Sequence, residues 1–351
     1  MKITIIGAGK TGRGFLARLF KDNDITFIDK DNRLIDRLNE NKTINITYFG
    51  EKTPGVSIFG FKAFTWDKID KITDELIFVS VGGRNLADVG EKLKTRLNDK
   101  TKIIVCENAS SPAKTLQNAI GLINGDYVKV AESTVFCTTI ENGDVDISSE
   151  KYPYLQYDSD AFCGEEISLD GLKPIKNFGN FLTRKLYTYN SASCIIAYLG
   201  YKKGYTVYSD AANDPEILKK LDKNYEIINE CMCREYGYDA EDQKEFAYLS
   251  RVKFTDRTIA DTVSRNAREP QRKISRYERV TGPLFLEAKY GKDTSVLEET
   301  LAAMLNYTPE NETEWIKMLK EKGKGGILTE LCGIEEGSLL YNKILALSEE
   351  K

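Results

Sequence analysis

The chain has 351 residues, which suits two domains of ordinary size better than one small core. Lys and Arg number 50 against 54 Asp and Glu, a formal charge of −4, and 41% of residues are hydrophobic, so the chain reads as folded and mildly acidic, with no call for a nucleic-acid or membrane partner. Histidine is absent throughout, which excludes every mechanism that needs imidazole as a base or metal ligand, and no metal site is expected.

No apolar run approaches the roughly 20 residues of a membrane-spanning helix. The first strand starts at Lys2, leaving no room for a leader, so the cytoplasm is the expected compartment and a monomer or small homo-oligomer the expected form. The seven cysteines (Cys106, Cys137, Cys163, Cys194, Cys231, Cys233 and Cys332) are scattered without a CxxC pair, as reduced thiols are.

The β-branched run Lys2–Ile6 ends in Gly7-Ala8-Gly9-Lys10-Thr11-Gly12 and leads into a helical face of Phe15, Leu16, Leu19 and Phe20. A second strand, Ile25–Ile28, ends at Asp29. Strand, glycine turn, helix and an acid about 20 residues on are the setting of a dinucleotide site. Gly7 permits the turn, Gly9 admits a pyrophosphate, Gly12 lets helix and strand pack, and Lys10 and Thr11 lie at the helix start, where free N–H groups favour phosphate. Asp29 would bind the adenosine ribose hydroxyls and repel a 2′-phosphate, which selects NAD over NADP. Asp31 suits the cap of the next helix better than Asp29 does.

Strands follow at Glu75–Val81, Lys102–Cys106 and Tyr127–Ala131, with helices Leu86–Leu97 and Pro112–Leu122 between them. Alternation of this kind predicts a doubly wound parallel sheet, a Rossmann domain, whose ligands sit beyond the strands' carboxyl ends. Gly82, Gly83, Asn108 and Glu132 fall on that edge. The two glycines form either a plain turn or a cofactor contact, and Glu132 either binds sugar hydroxyls or pairs with a lysine. Between 140 and 178, short antiparallel strands are expected to extend the sheet.

A boundary near Gly179 divides a cofactor domain, 1–178, from an all-helical domain, 179–351. Helices are predicted there at Lys185–Leu199, Pro215–Tyr236, Ala240–Phe254, Arg276–Lys289, Ser295–Leu305, Glu312–Lys322 and Ser338–Leu347.

Several stretches carry a family resemblance: Gly7 to Phe15, Cys106-Glu107-Asn108, Arg184-Lys185-Leu186-Tyr187-Thr188-Tyr189-Asn190, Ala197-Tyr198-Leu199-Gly200, and Arg268-Glu269-Pro270-Gln271-Arg272-Lys273-Ile274. In order and over almost the whole chain, they resemble the polyol-specific long-chain (mannitol) dehydrogenases, in the shorter hexitol-phosphate branch. That family's signature is Lys, Asn five residues on, and His three beyond. Lys185 and Asn190 match; the third position is Ser193.

The resemblance implies metal-independent, NAD-dependent interconversion of a hexitol phosphate and a ketose phosphate, mannitol 1-phosphate and fructose 6-phosphate foremost. A free polyol, a sugar acid or an NAD-binding protein without turnover remain alternatives. It makes Lys185 the base, with Asn108 and Asn190 donating to the developing oxyanion. An ordinary lysine titrates near ~10.4, so burial or like charge, with Arg184 a candidate neighbour, has to lower it. Ser193 either touches substrate or fills space. Arg268, Arg272 and Lys273 are candidate phosphate ligands, or else an ordinary basic helix end. At about 100° per residue, Lys185 lies well round from Asn190, so either the helix starts after Lys185 or its stem reaches across.

Overall fold

A computed structural model describes residues 1–109, 111–122, 128–309 and 312–349. The chain forms two compact units, Met1–Phe178 and Gly179–Lys351.

The first unit is built on strands β1 (Lys2–Ile6), β2 (Asp24–Asp29), β3 (Thr43–Tyr48), β4 (Val56–Phe59), β5 (Lys62–Thr65), β6 (Leu76–Val79), β7 (Lys102–Val105), β8 (Lys129–Thr134), β9 (Thr139–Glu141), β10 (Ile147–Ser149), β11 (Leu155–Asp158) and β12 (Leu172–Ile175). The main sheet runs β12-β11-β8-β7-β6-β1-β2-β5. From β5 to β8 every neighbouring pair is parallel. Both faces are covered, so the central strands carry apolar runs, complete in β6 (Leu76–Val79), where all four residues are buried. Ile3, Ile5, Phe27 and Phe78 join one buried cluster, and Ile6, Ile28, Ile77 and Val79 another. The order reverses at β1, which pairs β2 on one side and β6 on the other; a doubly wound sheet binds ligands at such a point.

The stretch after β8 departs from expectation. β11 does extend the main sheet antiparallel to β8, but β12 pairs with β11 in parallel. β9 and β10 leave it for a second sheet, β4-β3-β10-β9. Packing decides this: a Cβ on Gly14 would lie 2.3 Å from Ile147 Cγ2, so the helix after the glycine loop rests directly on β10. Tyr127, expected in a strand, lies outside the described residues.

Local chemistry sets the helix ends. Leu86–Leu93 stops short of Leu97: the Arg96 amide turns back to the Leu93 carbonyl, three residues before it, at 2.9 Å, and the Arg96 carbonyl takes the Ile72 amide at 2.8 Å. Pro112–Ile120 stops at Gly121, in the left-handed region at φ 82°. In the second unit, Pro215–Tyr236 and Ser295–Leu305 form as predicted. Asp214 caps the former through the amides of Glu216 and Ile217, and Gly237 ends it at φ 72°. The helix expected over 276–289 begins only at Thr281. Pro283, which has no N–H to give, then sits in a first turn that requires none.

No described helix is long and apolar enough to cross a membrane.

Candidate active site

In the first unit the glycine loop leaves the end of β1 at the sheet's reversal. Gly7 has φ 99°, and a Cβ there would lie 1.9 Å from the Ser80 carbonyl oxygen; a Cβ on Gly12 would lie 2.0 Å from the Gly7 oxygen. Only glycine fits either position. Gly9 differs, because its Cβ would meet nothing within 4 Å. The chain itself does not need that glycine, and the open face fits a pyrophosphate approaching the helix start. Lys10 is exposed and Thr11 half-buried at that start. The helix is π-wound over Gly12–Ala17 and anchored by Arg13, whose Nε donates to the Ala8 carbonyl at 2.7 Å and whose guanidinium also reaches the Val145 carbonyl.

Asp29 closes this loop from β2. Its Oδ2 accepts the Ala8 amide at 2.7 Å and its Oδ1 the Asp31 amide at 3.0 Å. Asp31, as expected, is the cap of helix Asn32–Asn41, accepting from Arg33 and Leu34. Asp29 is thereby left to the loop.

At the end of β6, Gly82 has φ 82°, and Oε1 of Glu107 accepts the amides of both Val81 and Gly82 at 2.6 Å. Burial pushes the Glu107 carboxyl up, and these two amides oppose the rise. Glu107 thus holds the Gly82-Gly83 turn against the end of β7, where Asn108 is exposed. Sequence reading named Gly82, Gly83 and Asn108 and passed over Glu107; an acid at a strand end beside a Gly-Gly turn was the available signal. Glu132 is half-buried on β8. Burial raises its carboxyl, and the Ala113 amide at the start of the preceding helix, Pro112–Ile120, opposes that rise.

In the second unit, Lys185 ends helix Phe178–Lys185, a π-helical turn covers Leu186–Asn190, and α-helix resumes over Ser191–Lys202. The Ser191 amide bonds the Leu186 carbonyl, five residues back. In a π turn residues five apart stack along the axis. Lys185 and Asn190 therefore share a face, and Ser193, three further on in α-helix, stays close to it. The helix does not start after Lys185, since the helical stretch Phe178–Lys185 already precedes that point; the winding itself brings Lys185 round toward Asn190.

Burial pushes the Lys185 amine down from 10.5 to about 7, and the positive charges of Lys253 and Arg279 add to the effect. Arg184 is not among the causes. It turns away, donating to Gln243 Oε1 at 2.7 Å, pairing with Asp242 at 2.7 Å and lying over the rings of Tyr238 and Phe246. Lys253 and Arg279 went unnamed in the sequence reading because they come from other helices and turns.

Ser193 is a hydrogen-bond junction. Its Oγ accepts from the Tyr208 hydroxyl at 3.1 Å and donates to Asn266 Oδ1 at 3.4 Å. Burial drives the Tyr208 phenol well above its ordinary value, which keeps it a neutral donor. The backbone carbonyl of Asn266, a different oxygen, accepts Lys273 Nζ. Lys273 is buried at 6% exposure, and burial lowers its amine to about 8. The other two basic candidates have partners of their own: Arg272 pairs with Glu269 at 2.6 Å, and Arg268 Nε donates to the Arg265 carbonyl at 3.1 Å.

Residues 177–319 match the family model of the mannitol dehydrogenase C-terminal domain, and 3–156 match that of the ketopantoate reductases PanE/ApbA. Curated relatives along the full length carry the same stamp. Mannitol-1-phosphate 5-dehydrogenase of Bacillus licheniformis is 26% identical, covering 97% of this chain and 97% of its own, and that of Bacillus subtilis gives the same figures. The second half of the chain thus matches a mannitol dehydrogenase domain, and the whole chain is similar to mannitol-1-phosphate 5-dehydrogenases. Among solved structures, a D-sorbitol dehydrogenase covers 99% of this chain and 92% of its own at TM-score 0.76, and Pseudomonas fluorescens mannitol 2-dehydrogenase covers 99% and 90% at TM-score 0.69. Both are 13% identical, and what they share with this chain is the fold.

Proposed function

We propose that this protein is an NAD-dependent dehydrogenase that interconverts a hexitol phosphate and a ketose phosphate, with Lys185 as the proton carrier. One observation carries the reading: a lysine amine held near neutrality on the same helix face as Asn190, in a chain similar to mannitol-1-phosphate 5-dehydrogenases. A base works best when its pKa lies near the working pH, and an ordinary lysine would be protonated almost entirely.

The chemistry that NAD would supply when bound is a hydride acceptor for the carbinol carbon. Gly9 would admit the cofactor's pyrophosphate in the loop that Gly7 and Gly12 shape, with Lys10 and Thr11 at the helix start. Asp29 would take the ribose hydroxyls, and Gly82, Gly83 and Asn108, at the ends of β6 and β7, would line the cofactor side. Lys185 Nζ, neutral, takes the hydroxyl proton in oxidation and returns it in reduction. The Asn190 amide donates to the oxygen as negative charge develops on it. Ser193, fixed by Tyr208 and Asn266, stands where the family places histidine and orients rather than titrates.

The positive charge of Lys253 and Arg279 near Lys185 favours a phosphorylated substrate. A free polyol is the second reading, favoured by the internal partners of Arg268, Arg272 and Lys273. The test is NADH consumption with fructose 6-phosphate, fructose and keto-uronates over a pH series. Preference for fructose 6-phosphate supports the first reading, preference for fructose the second, and no turnover with any of them removes both.

A further inference from the structure

The π turn that aligns Lys185 with Asn190 is an unusual winding, and such bulges persist where the surroundings hold them. Here the hold comes from Gln243 on helix Ala240–Thr255. Gln243 is fully buried, and both ends of its amide are engaged. Oε1 accepts from Arg184 Nε at 2.7 Å; Nε2 donates to Thr188 Oγ1 at 3.1 Å and to Asn229 Oδ1 at 2.9 Å. Arg184 immediately precedes Lys185, and Thr188 lies in the middle of the π turn. One side chain therefore grips the helix on both sides of Lys185 without contact to any reacting group.

We infer that Gln243 is a positioning residue for the proposed dehydrogenase: by bridging Arg184 and Thr188 it keeps residues 186–190 in the π winding that sets Lys185 and Asn190 on one face. The inference rests on the functional reading above. Loss of the bridge lets the segment relax to α-helix, in which five residues span about 500° and Lys185 turns roughly 140° from Asn190. Arg184 is held independently by Asp242 and two aromatic rings, so the Thr188 arm is the one that decides the winding.

The experiment compares Gln243→Leu, Thr188→Val and Thr188→Ser with the wild type. Thr188→Val keeps the buried shape, at 1% exposure, and removes only the acceptor. Its kcat for polyol phosphate oxidation should drop between about tenfold and 100-fold, the scale of a misplaced reacting group, with KM for NAD nearly unchanged. The pH at which the oxidation rate rises should move upward from neutrality, as Lys185 turns away from burial and from Lys253 and Arg279. Thr188→Ser, which keeps the hydroxyl, should restore both. An unchanged kcat and pH profile in Thr188→Val overturns the inference, and so does a lower kcat with an unmoved profile, since a merely structural role gives that pattern.

Reductive methylation of Lys185 against pH, read by peptide mass, separates this inference from the functional reading. If the wild type turns over no polyol or polyol phosphate, the functional reading fails. An upward shift of the labelling midpoint in Thr188→Val then still supports the positioning role, and an identical midpoint overturns it. Gln243→Leu serves as the second variant, scored in its folded fraction only.

Discussion

The Ala8 amide donates to Asp29 Oδ2 at 2.7 Å, which moors the acid at the end of β2 to the glycine loop at the end of β1. Asp29 thus both shapes the loop and presents charge at its rim. The two roles separate by mutation. Asp29→Asn keeps an acceptor for Ala8 and removes the charge, so it should relax discrimination against NADP with modest loss of NAD affinity. Asp29→Ala loses both, and NAD should bind roughly 10- to 100-fold more weakly, the worth of a hydrogen bond to a charged group. Titration of cofactor fluorescence reads both variants; an unchanged NADP preference in Asp29→Asn removes the role given to this acid.

Lys185 predicts a pH profile with a definite sign. Its amine lies at about 7 in the folded protein. Oxidation needs the neutral amine, so its rate should rise through neutrality; reduction needs the protonated form and should fall over the same range. Lys185→Ala should lower turnover by about 10²- to 10⁴-fold, the usual range for a general base, and leave NAD affinity nearly intact. Joint loss of turnover and cofactor binding would instead make this lysine a structural cation.

The same lysine affects stability. A charged amine that is desolvated in the fold and free in the unfolded chain destabilises most below pH ~7, and the penalty fades as pH rises toward ~10.4. Lys185→Met should therefore raise the unfolding temperature clearly at pH 6 and little at pH 10. Equal gains at both values would mean that the amine is not desolvated.

Gly7→Ala tests the loop itself. The position has φ 99°, and a Cβ would strike the Ser80 carbonyl oxygen. Strain of this kind costs about 1–3 kcal/mol before any clash is counted. Urea unfolding should show at least that loss, together with loss of NAD binding. Gly9→Ala should leave stability nearly unchanged, because its Cβ meets nothing, and yet weaken NAD binding. If Gly9→Ala binds NAD normally, the pyrophosphate does not lie over that face.

Glu287 is a buried acid in the helical unit, 1% exposed, and its Oε1 has no hydrogen-bond partner among the described residues. Burial drives its carboxyl well above the ordinary value, with the charge of Asp293 adding. The raised folded value means that stability is full below the unfolded pKa of about 4.3 and declines as pH rises above it. Glu287→Gln cannot ionise and so escapes that decline: it should be clearly more stable than the wild type at pH 8 and little different at pH 4.5. Urea unfolding at pH 4.5 and pH 8 reads it: the gain should grow with pH, and a constant gain refutes the titration.

Much of the first unit was legible because its signals are local. Continuous apolar strands, the spacing of Gly7, Gly9 and Gly12, and an acid at the end of the next strand all lie within about 30 residues, and each has one physical use. β3 carried a readable signal too, with Ile44 and Ile46 buried between half-exposed Thr43 and Asn45, but two-residue alternation alone does not say which sheet a strand joins. β9 and β10 went to a second sheet because Gly14 brings a helix against Ile147, a contact more than 100 residues apart in sequence.

The residues of the proposed catalytic helix were likewise legible in the sequence, while their geometry was not. Residue order supplied Lys185, Asn190 and Ser193, but regular α-helix would scatter them. Only the fold winds Leu186–Asn190 as a π turn, lays Lys253 and Arg279 near the amine, and ties Ser193 to Tyr208 and Asn266. The physical reason is one of range. Glycine turns, caps and strand patterns are set by neighbours along the chain, whereas desolvation, charge from other helices and a bulge gripped by Gln243 exist only once distant segments have packed together.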